Sequence, residues 1–159
     1  DRMTVITHMQ HKSRLAQMVD KPGGVSVGVA LAQAKANLDT LKDQARAVIA
    51  QNITALLAEP SPDLPEAARL DMAYAASSQI IDAASPFAMD DLCIAAKGLC
   101  DLLDAAPRAG GFDWRIPTVH AQAMKLLLDL PADAASTREA IVENLREVLR
   151  RKLGTGQAG

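Results

Sequence analysis

The sequence predicts an all-α fold: an antiparallel helical bundle of about five to six helices, one of them long. Three observations predict it. Hydrophobic residues make up 49% of the 159 positions and aromatic residues only 3%, and most of the apolar side chains are Ala and Leu. Those two lose the least freedom on entering a helix, whereas strands favour β-branched and aromatic residues. Apolar residues also recur at intervals of three and four between clusters of Pro and Gly, which is the period of a helix with one buried face. No segment alternates apolar and polar residues in the way a half-buried strand must.

Residues 1–9 do not begin with Met and are expected to be a disordered tail or a cloning remnant. Residues 10–153 are expected to form a single helical domain, followed by a frayed tail over 154–159. A short helix is predicted over Gln10–Val19, with Leu15 and Met18 on one side, stopped by Pro22-Gly23-Gly24. Ser26 then offers an N-cap side chain. From Val27 to Leu57 there is no Pro, and the only Gly is Gly28 in the first turn. Val27, Leu31, Ala34, Leu38, Leu41, Ala45, Val48, Asn52 and Ala55 form a heptad-like seam. Ile49, Ile53 and Leu56 widen it, and Lys35, Asp39, Lys42, Asp43 and Arg46 lie opposite. At about 1.5 Å per residue this helix is roughly 45 Å long.

Pro60-Ser61-Pro62 ends the long helix, and Pro65 opens the next, which is predicted to run to Ala84. Its stripe is Leu70, Ala73, Tyr74, Ser77, Ile80, Ile81 and Ala84, and Pro86 breaks the chain. The following helix, Asp90 to Ala105, starts with two acidic residues that suit the positive end of the helix dipole. It buries Leu92, Ala96, Leu99 and Leu103. Gly98 in mid-helix costs about 1 kcal/mol relative to Ala, which points to close approach of a neighbouring helix. The next helix starts at Pro117 and runs to Leu130. Ser136-Thr137-Arg138-Glu139 is a capping-box pattern for the last helix. Ile141, Leu145, Val148 and Leu149 form its apolar stripe. Glu143–Arg146 and Glu147–Arg151 are helical-spaced ion pairs on its solvated face.

A formal net charge of −2 provides no electrostatic grip on nucleic acid or anionic lipid. No stretch approaches the roughly 20 apolar residues of a membrane span, and no segment of the sequence has the charged, apolar and cleavage regions of a signal peptide. Cys93 and Cys100 are seven apart on one helix, about 10 Å at 1.5 Å per residue. That is too far for a disulfide, and two unpaired thiols suit a reducing compartment. A cytoplasmic location is therefore expected. No ligand-spaced His, Cys or carboxylate pair suggests a metal, no Gly-rich loop suggests a phosphate site, and no nucleophile motif occurs. The expectation is a protein with no catalytic residues, no metal and no cofactor.

The most informative segment is Gly110-Gly111-Phe112-Asp113-Trp114-Arg115-Ile116-Pro117-Thr118-Val119-His120. Trp114 is the only tryptophan, and His120 is the only histidine beyond the N-terminal His8 and His11. An aromatic loop before a helix is often a docking surface. Here Phe112, Trp114, Arg115 and His120 are the candidate binding residues. The structural alternative is a hydrophobic staple that pins the helix entry to the core. His120 has Ile116, Pro117, Ala123, Met124 and Leu127 as helical neighbours, which favours a buried, hydrogen-bonded ring. Its functional alternative is a phospho-acceptor in a histidine phosphotransfer bundle. Such a histidine needs solvent access and a nearby cation. Phosphotransfer domains place Lys three residues on. Here that position is Ala123, and Lys125 lies about 500° around the helix and points away.

The order of several short motifs resembles the CheE-like proteins of alphaproteobacterial chemotaxis operons. The motifs are Ser13-Arg14-Leu15-Ala16 with Lys21-Pro22-Gly23-Gly24, Ala34-Lys35-Ala36-Asn37-Leu38, Ser78-Gln79-Ile80-Ile81-Asp82, Leu99-Cys100-Asp101-Leu102, and Asp113-Trp114 running into Val119-His120-Ala121-Gln122-Ala123-Met124-Lys125-Leu126-Leu127. The resemblance covers most of the chain from Ser13 to Leu153. It implies a cytoplasmic helical accessory protein of chemotaxis or two-component signalling whose partner is a response regulator or a histidine kinase. It carries over no catalytic residues. The seam of the long helix can serve a homodimer or pack within one bundle, and both readings stand.

Overall fold

The computed structural model describes residues 26–154. The predicted helix over Gln10–Val19 and both expected tails beyond these limits lie outside the described residues. The fold is an antiparallel helical bundle, with five α-helices among the described residues: α1 (Val27–Leu57), α2 (Glu66–Ala84), α3 (Asp90–Asp104), α4 (Arg115–Asp129) and α5 (Ala135–Gly154). A short 3₁₀ turn over Ser85–Phe87 joins α2 to α3 at the predicted Pro86 break. Among the described residues there is no strand. No described helix is long and apolar enough to cross a membrane.

The described residues divide into two units, with the boundary between Asp39 and Thr40. The described part of the first is the N-terminal portion of α1. Ser26 caps it as expected: its Oγ accepts from the Val29 N–H at 3.3 Å and its carbonyl accepts from the Ala30 N–H at 2.9 Å. Val27, Leu31 and Leu38 of the predicted seam are exposed here.

The second unit holds the core. α3 is its central helix and packs on α2, α4 and α5. Its buried residues are Leu92, Ala95, Ala96, Leu99, Cys100, Leu102 and Leu103, more than one stripe because several helices surround it. From α1 the core receives Ala45, Ile49, Ile53 and Leu56, while Leu41 and Val48 of the seam remain exposed. The predicted seam is thus corrected. The residues read as widening it, Ile49, Ile53 and Leu56, form the inward stripe together with Ala45 of the seam, because they are larger than the Asn52 and Ala55 that the seam offers beside them. Tyr74 also departs from its predicted place and is exposed, with Ala76 buried instead.

Two helix starts differ from expectation. α4 begins at Arg115, so Pro117 falls within the first turn, where a missing N–H orphans no carbonyl. α5 begins at Ala135, ahead of Ser136, with the Arg138 N–H donating to the Ala134 carbonyl at 3.0 Å. Ser136 therefore lies inside the helix and the capping-box assignment is withdrawn. Arginines secure the far end of α4. Arg46 donates to the Leu128 carbonyl at 2.7 Å, and Arg138 donates to the Leu130 carbonyl at 3.0 Å and pairs with Asp91 at 2.7 Å. These satisfy carbonyls that the helix end leaves without partners. On the solvated face of α5 both predicted pairs form, at 3.6 Å for Arg146–Glu143 and 2.9 Å for Arg151–Glu147, with Arg150 bridging Glu143 and Glu147.

Candidate functional site

Trp114 is the N-cap residue of α4 and stands half-buried at the edge of the core. A carboxylate forty-eight positions earlier fixes it. Glu66, in the first turn of α2, accepts from Trp114 Nε1 at 3.4 Å and from the Phe112 N–H at 3.3 Å. It also pairs with Arg69 at 3.2 Å. The Arg69 guanidinium lies over the indole ring, 4.2 Å from its centroid, and its other end pairs with Glu59 at 3.1 Å. Phe112 meets Trp114 edge to face, with centroids 5.2 Å apart, the arrangement ring quadrupoles favour. A cation over an indole adds to this, most where water is excluded. Arg69 and Glu66 are largely shielded, at 11% and 14% side-chain exposure. The ring is held by three neighbours, Glu66, Arg69 and Phe112.

Arg115 does not join this cluster. It turns back on Asp113, Nε to Oδ1 at 2.8 Å and a second nitrogen to Oδ2 at 3.0 Å, and Lys152 reaches Asp113 at 3.4 Å. The Arg115 hydrogen bonds hold the Asp113 carboxyl well below the usual carboxylate range. The pair closes the loop that leads into α4.

Trp114 forms one wall of an apolar groove of about 340 Å³ between the end of α1 and α2. Leu56, Met72, Ala73, Ala76 and Pro117 are among its apolar lining residues, with Glu59 and Pro60 at one end. Met72 is 54% exposed, and Val119, on the far side of Trp114, is 45% exposed. Glu59 holds a left-handed backbone with φ 51°, a conformation that costs a non-Gly residue about 1–2 kcal/mol. It keeps a carboxylate over Arg69 at the groove's end. The staple and docking readings of Trp114 are compatible here: one face of the ring is pinned to the core and another lines the groove.

His120 is placed elsewhere. Its ring is fully buried, and Nδ1 bonds the Ile116 carbonyl at 3.0 Å. Burial pushes its pKa down, so the ring is neutral. As a binding residue beside Trp114, and as an exposed phospho-acceptor, His120 is corrected: the ring meets no bulk solvent, and Lys125 stands on the exposed side of the helix. Cys93 and Cys100 are unbridged, as their spacing required. Burial raises both thiols, that of Cys100 to about 11, so neither is an activated nucleophile. Among the described residues no group of three or more His, Cys, Asp or Glu side chains could hold a metal.

Of the sequence-derived binding residues, Phe112 and Trp114 come together, Arg115 neighbours them without sharing their contacts, and His120 separates from them. Sequence reasoning missed Glu59, Glu66, Arg69 and Met72. The Glu66–Arg69 spacing was a local signal of an ion pair, but its tie to Trp114 is long-range. Comparison with family models, with characterised proteins and with solved structures returned no match.

Proposed function

We propose that this chain is a non-enzymatic helical adaptor that binds a protein partner through the groove beside Trp114. The observation that carries this reading is the preorganised indole. A half-buried Trp locked by Glu66, Arg69 and Phe112, beside an apolar groove with Met72 exposed at its mouth, has the composition of a binding hot spot. A rigid aromatic loses little entropy on association. The groove suits the apolar side chains of a partner helix. The motif order described above supports a partner from bacterial chemotaxis, a response regulator or a histidine kinase, and a role in the cytoplasm.

Because Trp114 is the only tryptophan, its fluorescence reports directly on the groove. Titration with the response regulators and the kinase of the same operon should shift its emission saturably with one of them. Met72→Asp, which changes an exposed side chain, should abolish that binding and leave the helical content unchanged. Calorimetry that detects no binding to any of these proteins sinks the proposal.

A further inference from the structure

At the far end of α4 a recess of about 330 Å³ lies between α1, the start of α3 and the start of α5. Three cationic side chains line it, Lys42 and Arg46 from α1 and Arg138 from α5, with Asp90 and Asp91 on the α3 side. Both guanidinium groups are fixed by bonds to other lining residues. Arg46 donates to the Leu128 carbonyl at 2.7 Å. Arg138 donates to the Leu130 carbonyl at 3.0 Å and to Asp91 Oδ2 at 2.7 Å. These bonds hold both groups at the recess, and a donor already in place loses little entropy when a ligand arrives.

The charges there are not balanced. Asp91 matches Arg138. Arg46 and Lys42 have no carboxylate partner among the described residues. The Leu128 bond uses one of the five N–H donors of the Arg46 guanidinium. Three cations against two carboxylates leave one positive charge at the recess. A guanidinium fork matches a planar carboxylate through parallel hydrogen bonds, which a lysine supplements as a point charge. Asp90 is exposed and unpaired, so it opposes a ligand with a second negative charge. Phe87, Met89 and Leu130, each half-buried, supply an apolar wall. Cavities of about 150 Å³ already hold a six-carbon ring, so a short aliphatic chain fits beside the carboxylate.

We infer that this recess binds a small monocarboxylate with a short apolar chain. The carboxylate sits on Arg46 and Lys42, and the chain lies against Phe87, Met89 and Leu130. Isovalerate is a simple member of the class. The recess shares no lining residue with the Trp114 groove and needs no protein partner, so the two proposals fail separately.

The test is an NMR titration of the full ¹⁵N-labelled chain with isovalerate, isovaleramide and inorganic phosphate. Isovalerate should bind saturably in the millimolar range and move the Arg46 side-chain Nε–H resonance. The uncharged amide and phosphate should each bind at least about tenfold more weakly. Arg46→Lys keeps the charge but not the fork and should weaken isovalerate at least about fivefold. Lys42→Gln, at an exposed side chain, should weaken it about threefold while circular dichroism stays unchanged. Absence of saturable isovalerate binding, equal affinity for the amide, tighter binding of phosphate, or isovalerate binding unaffected by both variants would overturn the proposal.

Discussion

Glu66 does more in this molecule than its place in a surface-facing first turn implies. It receives the Trp114 indole N–H and the Phe112 backbone N–H and pairs with Arg69. Removing it leaves three shielded donors without their acceptor, and orphaned buried polar groups cost about 1–3 kcal/mol. Glu66→Ala is accordingly expected to lower stability by about 2 kcal/mol in urea unfolding. Glu59→Ala, at a side chain 53% exposed, should cost under about 1 kcal/mol. Equal losses would show that Glu66 is an ordinary surface carboxylate. His120 sets the second expectation. Desolvation lowers its pKa below the ordinary 6.5, with the Ile116 carbonyl opposing part of that shift. The unfolded chain therefore binds a proton more readily than the folded one. Stability is full above pH 6.5 and is lost as pH falls below it. Urea midpoints at about pH 7.5 and about pH 5.5 should fall further for the wild type than for His120→Phe. Identical pH slopes would place the sensitivity elsewhere.

Among the elements, α3 combines a central place in the core with an unfavourable residue. Seven of its side chains are buried, yet Gly98 interrupts it where a methyl group would fit. Gly98→Ala should raise stability by about 1 kcal/mol, because Ala restores helix propensity without a clash. A loss of stability would contradict the open space that surrounds Gly98. α4 was legible as a helix but not in its start. Its first turn extends two residues ahead of Pro117 because Asp113 receives the Arg115 and Ile116 N–H groups, and that capping was concealed in a loop of glycines and aromatics.

For the molecule as a whole, the decisive fact is where the core lies along α1. Ile49 and Ile53 are enclosed, while Leu38 and Leu41 are more than half exposed. Ile49→Ala should therefore cost about 2–5 kcal/mol, and Leu38→Asp should change stability by no more than about 0.5 kcal/mol. Chemical denaturation of the two variants checks this directly, and a large loss in Leu38→Asp would place the seam inside a packed interface. The same exposed seam leaves the homodimer expectation standing, and light scattering over a range of protein concentrations addresses it.

The sequence by itself determined the helices. From Val27 to Gly154 their order and most of their limits follow from local causes: Ala and Leu propensity, Pro and Gly punctuation, and a period near 3.6. These act within a few residues and survive any tertiary arrangement. It also settled that Cys93 and Cys100 cannot bridge within α3, since that too is a matter of rise per residue. Which face of each helix points inward was only partly legible. On α1 two apolar stripes competed, and the bulkier Ile49–Ile53 stripe, not the heptad seam, meets the core. The site was legible only in its aromatic residues. Glu66 and Arg69 reach Trp114 across more than forty positions, and His120 meets Gly98 and Leu149 at a recess formed by three helices. Such contacts depend on how amphipathic faces share a common interior, an energy summed over the whole bundle, and no single segment records it.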